Sequence, residues 1–361
     1  MQNTDPVGAS GPNTPSPWKR LVRVLAVAVA VVIATTSTAE AIPGEVLRGR
    51  AYLSKGRNRQ AAMAFRSLLE NDPDNSAARA GLVDAFRGLD RCAEISVHGW
   101  WLEGTRHWKP SVMLALAECA IDVGSWDEAE ALIDEAIERD TPVVDPPMVA
   151  ARLCVLKGDE ACLDEAWAIA VGRDRGPAHV IAHEAELAVL AGASEAEAMV
   201  KGLVTYGFVP EVVDQQRILT AQIAGDEGDC EEVQELTARL VSSSPSSLQV
   251  AAVRAELLRR CDDAGLALIA FQRPAVQLRA HTTEARSVHV RILVDLERLD
   301  EAEAMLDTLP AGDPRVVASR WYLARARGDE ATMAAAAAAW QANPFFGARS
   351  LDHLVPQARD E

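Results

Sequence analysis

Between Ile42 and Asn75 the chain sets Gly49, Tyr52, Gly56, Ala61, Phe65 and Pro73 in an order that recurs, with losses, at a spacing of about 34 residues. The spacing fits two antiparallel helices and a turn. Gly49 and Ala61 let the helices approach, Tyr52 and Phe65 fill the space beside them, Gly56 makes the turn and Pro73 stops the second helix. Further units begin at Ser76 and at Pro110, where Ala117, Gly124, Ala129, Ile133 and Ala136 repeat the pattern. Others begin near Val144 (Ala151, Gly158, Trp167, Ala170), Ala178 (Ala185, Gly192), Asp214 (Ala221, Gly228, Pro245) and Leu248 (Ala255, Ala267, Phe271). The last two begin near Thr283 (Ala302, Leu306) and Pro314 (Gly328, Trp340, Pro344). One such hairpin cannot bury its own apolar face, so the units must stack on one another.

Composition agrees with an all-α chain: aromatic residues are only 5% of the sequence, and Ala, Leu, Val, Glu, Asp and Arg dominate. A net charge of −17 without any cluster of Lys or Arg argues against nucleic-acid binding, because phosphate contacts need a basic stripe.

The recurring small residues, aromatics and stop proline resemble the tetratricopeptide repeat (TPR) family. That resemblance implies a right-handed solenoid of about nine TPR-like helical hairpins over residues 42–344, followed by a C-terminal tail over 345–361. In that family the first helix of each unit lines a concave face. The residues this would place there are Arg50, Leu53, Asp84, Arg87, Leu114, Glu118, Arg152, Glu186, Gln222, Glu256, Arg259, Arg291 and Tyr322. A mixed polar groove of this kind suits an extended peptide or a partner helix. The Lys and Asn set with which some family members grip a C-terminal carboxylate is missing. The expected function is a non-enzymatic protein–protein interaction scaffold of a bacterial cell envelope, serving assembly or secretion, with no cofactor and an unnamed protein partner.

The same repeat geometry bears on the six cysteines. Cys92 and Cys230 fall near the start of the second helix of their units, and Cys119 and Cys261 fall late on the first helix of the following unit. Adjacent units pack there, so Cys92–Cys119 and Cys230–Cys261 are the expected bridges, with Cys154–Cys162 across the turn at Gly158. The alternative is a set of reduced, buried thiols.

Residues 1–41 read as an export segment. Lys19, Arg20 and Arg23 precede an apolar run from Val24 to Ala34, and Ala39-Glu40-Ala41 offers small residues to a signal peptidase. Cleavage after Ala41 is the reading taken; an uncleaved inner-membrane anchor is the alternative, and the run is short for a span. Both put the repeats in the periplasm or otherwise outside the cytoplasm.

His179 and His183, one helical turn apart, are the sharpest metal candidates, and they lack the glutamate placement of the zinc protease motif. Two polar residues on a repeat helix are the plainer reading, and a metal-dependent hydrolase is the corresponding rival function. Trp100, Trp101 and Trp108 form the densest aromatic patch. They either fill an irregular junction or, if exposed, serve a carbohydrate-binding accessory of an exopolysaccharide export system. No nucleophile elbow, phosphate loop or dinucleotide fingerprint is present.

Overall fold

The computed structural model describes residues 44–356 apart from 90, 140–142, 144, 208, 244–247 and 279–281. The expected export segment lies outside the described residues. Among the described residues there are eighteen α-helices and no strand, and the helices pack in adjacent pairs.

The first helix of each pair starts close to where the repeat pattern put it. These helices are α1 (Gly44–Leu53), α3 (Ser76–Arg87), α5 (Pro110–Val123), α7 (Asp145–Lys157), α9 (Gly176–Ala191), α11 (Pro210–Glu227), α13 (Leu248–Arg260), α15 (Thr283–Asp295) and α17 (Pro314–Arg327). Their partners are α2 (Asn58–Asn71), α4 (Cys92–Gly99), α6 (Trp126–Glu138), α8 (Glu160–Val171), α10 (Ala196–Gly202), α12 (Cys230–Ser243), α14 (Ala264–Leu278), α16 (Leu299–Leu306) and α18 (Glu330–Gln341). The largest shift is at α11, which starts at Pro210 rather than Asp214 because the proline, with no N–H to lose, takes the first turn.

Close packing follows the small residues. A Cβ on Gly49 would lie 2.5 Å from the Phe65 ring, and one on Gly81 of the next unit would lie closer still. Phe65 therefore fills a slot that two glycines on successive odd-numbered helices keep open. Odd-numbered helices also touch one another, as α3 does α5, α5 does α7, and α13 does α15.

Cysteine pairs tie neighbouring helices. Cys92 and Cys119, Cys154 and Cys162, and Cys230 and Cys261 are bonded, with Cα separations of 5.3, 5.6 and 5.7 Å, and no described cysteine is left over. Three bridges fit an oxidising compartment outside the cytoplasm. No described helix is long and apolar enough to cross a membrane.

The C-terminal part of the chain returns to earlier helices. Thr283 Oγ1 donates to the Asp122 carbonyl at the end of α5. Asn343 Nδ2 donates to the Val155 carbonyl of α7 at 3.1 Å, and Arg349 Nη1 to the Val189 carbonyl of α9 at 3.2 Å. The last carbonyls of a helix have no partner within it, so these side chains satisfy acceptors that would otherwise be orphaned. Residues 345–356 are accordingly not a free tail: Phe346, Leu351 and Leu354 are buried, and residues Leu351–Leu354 form a 3₁₀ turn.

Candidate functional site

Helices α5, α7, α9, α11, α13, α15 and α17, together with α18 and the segment after it, enclose a cavity of about 620 Å³. Six of the residues assigned to a concave face line it: Glu118, Arg152, Glu186, Gln222, Glu256 and Arg291. They come from six different odd-numbered helices, which is what a repeating inward position on each unit produces.

The remaining concave positions divide between surface and core. Arg50 is exposed, whereas Leu53, Asp84 and Arg87 are half-buried. Arg87 forms a two-point pair with Glu118, Nε to Oε2 at 2.8 Å and Nη2 to Oε1 at 2.6 Å. Burial raises the Asp84 carboxyl against the pull of Ser111 and Arg87. Leu114, Arg259, Arg291 and Tyr322 are buried, so a partner has no access to them in this arrangement. Changing Tyr322 would strike the fold as well as any binding. This departs from the exposed face that the repeat pattern implied, and the cause is the returning C-terminal segment.

Arg259 has no exposed surface and holds a charge network together. Its guanidinium donates to Glu256 at 2.9 Å, to Asp295 Oδ2 at 2.9 Å, to the Tyr322 hydroxyl at 2.9 Å and to the Leu354 carbonyl at 2.5 Å. Arg291 adds Nε to Glu256 at 3.2 Å and Nη1 to Ser319 Oγ at 2.8 Å. Burial pushes the Glu256 carboxyl up, but Arg259 and Arg291 outweigh it and hold the group well below the usual carboxylate range. Burial, with the Asp295 hydrogen bond, pushes the Tyr322 hydroxyl up. Asp226 is clamped in the same way, by Arg260 at 2.5 Å and Arg349 at 2.7 Å.

A second group of carboxylates lacks such partners. Burial raises Asp122 to about 6 against the pull of Arg152 and Arg315, and its Oδ1 is buried with no hydrogen bond. Burial and the facing Glu284 raise Glu186 to about 7 against Arg152. Arg152 reaches Glu284 only at 4.0 Å, and Arg315 is taken by Asp313 at 2.5 Å.

His183 lines the cavity and His179 lies a turn away, partly exposed. Trp167 Nε1 donates to His183 Nδ1 at 3.3 Å, and burial with the nearby Arg152 lowers the imidazole to about 4. Among the described residues no three His, Cys, Asp or Glu side chains are grouped closely enough to hold a metal ion. Trp108 is buried and donates Nε1 to Glu135 at 2.9 Å, with Trp100 packed on it at 5.8 Å between ring centroids. Trp100 and Trp101 are each 39% exposed, and the Arg79 guanidinium lies 4.1 Å over the Trp101 ring. The aromatic patch therefore splits into one junction-filling residue and two surface ones.

Asp122, Asp226, Arg260, Glu284 and Ser287 also line the cavity and were not singled out by the repeat pattern. The signal was present: Asp122 follows Glu118, Asp226 follows Gln222 and Arg260 follows Glu256 by one helical turn, and Ser287 precedes Arg291 by one. Arg349 and His353 carried no such signal because they lie past the last repeat. Burial, with Arg349 beside it, lowers His353 to about 4. In comparisons with known proteins, no family model matches the chain and no curated protein matches it.

Proposed function

We propose that this protein is a non-enzymatic interaction scaffold of the cell envelope, a right-handed solenoid of TPR-like hairpins that holds a partner protein on its inner face. The observation that carries this reading is the regular placement of polar residues from successive odd-numbered helices on one surface, joined across units by pairs such as Arg87 to Glu118. Because the C-terminal segment covers Arg259, Arg291 and Tyr322, the binding region is assigned to the amino-terminal end, around Arg50, Leu53, Asp84 and Arg87. Mixed charge and a few apolar positions there suit an extended peptide or a partner helix. The three cysteine bridges support a site of action in the periplasm or another oxidising space.

Photo-crosslinking in the native envelope tests the reading. A crosslinking residue at Arg50 or Leu53 should trap one partner, and the same residue at Met63, an exposed position at 70%, should not. Equal trapping from both positions contradicts it. The exposed pair Trp100 and Trp101 favours one second reading, a carbohydrate-binding accessory, in which titrated glycan would quench tryptophan fluorescence.

A further inference from the structure

Most charges around the cavity already have partners. Glu118 is taken by Arg87, Asp226 by Arg260 and Arg349, Glu256 by Arg259 and Arg291, and Arg315 by Asp313. What remains is Asp122, Glu186 and Glu284, three carboxylates from α5, α9 and α15, against the single side chain of Arg152. Ser287, on α15 one turn after Glu284, is 1% exposed and lines the cavity, yet its hydroxyl makes no hydrogen bond. The Asp122 Oδ1 atom is likewise buried without a donor. Buried polar atoms in native proteins nearly always have partners, so two orphaned oxygens in one cavity mark groups whose donor comes from outside the chain.

We infer that the cavity binds a small primary amine, its ammonium group donating to Asp122, Glu186 and Ser287. An ammonium carries three N–H donors and one positive charge, which answers a set of oxygen acceptors with excess negative charge. An anion would meet those carboxylates unfavourably. The described side chains do not gather three metal-ligating groups, so an organic cation suits the site better than a bare ion. Val155, Leu187 and Leu190 supply an apolar wall for an alkyl chain, and a volume of about 620 Å³ is of the size that small-ligand sites occupy. The raised carboxyls fit the same picture. Burial and Glu284 hold Glu186 at about 7, and burial holds Asp122 at about 6; a bound cation would favour their charged forms. The charged groups facing Glu186 from neighbouring helices are Arg152 and Glu284.

This inference goes beyond the scaffold reading and stands apart from it, since the amine site and the Arg50 surface are tested by different probes. Isothermal titration of the full chain with n-pentylamine at about pH 8 should give saturable binding that weakens toward about pH 5.5, as the carboxyls take up protons. Pentanoate and calcium chloride should give none. Glu186→Gln and Ser287→Ala, which nearly keep shape, should each weaken binding about tenfold with the helical circular dichroism unchanged. Absence of saturable pentylamine binding, equal affinity in both variants, or preferential uptake of calcium would overturn the assignment.

Discussion

Glu186 shows how a single carboxyl ties the inner surface to pH. Its folded value of about 7 stands above the ordinary 4.5, because burial and Glu284 disfavour the charge. The folded state therefore holds a proton, between those two values, that the unfolded chain has released. The stabilising effect is complete below about 4.5 and is lost as pH rises through about 7. Glutamine cannot ionise, so Glu186→Gln should melt a few degrees higher than the parent at about pH 8, with the difference vanishing near pH 4.5. His183 and His353, lowered to about 4 by burial, act in the opposite sense. Each is held neutral, and its contribution is lost as pH falls from 6.5 through 4. Both are common to parent and variant, so they cancel in the comparison, which thermal melts across that range would measure. A gain that persists unchanged at pH 4.5 would mean that Glu186 acts through packing. None of this was legible in the sequence, where Glu186 is one acidic residue among many; its partners Arg152 and Glu284 lie far away along the chain.

At the scale of the element, the recurrence of small residues carried most of the information. Gly49, Gly81 and Phe65 interlock because two successive odd-numbered helices must pass close to the same ring. Replacing Gly81 by Ala would press a methyl into the Phe65 side chain, which is fully buried and has nowhere to retreat. The expected cost is about 1–3 kcal/mol by urea unfolding, despite the gain in helix propensity that alanine normally brings. A neutral or stabilising result would show that Phe65 can repack. Helix starts were legible for the same reason: Ser76, Pro110, Leu248, Thr283 and Pro314 each begin a helix where the spacing put it. The stretch after Pro344 was misread because nothing in it repeats. Its role depends on Asn343 and Arg349 capping the ends of α7 and α9, and pairings over 188 and 160 residues leave no local pattern.

At the scale of the whole molecule, the closure by the C-terminal segment turns part of an open inner face into a cavity and leaves the amino-terminal part for a partner. Bridges between neighbouring helices support this arrangement, since each repeat contacts few others and a closed loop limits the unfolded chain. Cys92–Cys119 links α4 to α5, Cys154–Cys162 spans the turn between α7 and α8, and Cys230–Cys261 joins the start of α12 to the end of α13. These pairings hold only if the helices stack in chain order with the register described, and only if the protein matures in an oxidising space. Peptide mapping of the non-reduced protein recovered from its native compartment is therefore the most direct test. The arrangement requires the three peptides linked as 92–119, 154–162 and 230–261. Six free thiols, or a bridge between distant units such as Cys92 to Cys261, would contradict both the stacking and the extracytoplasmic scaffold built on it.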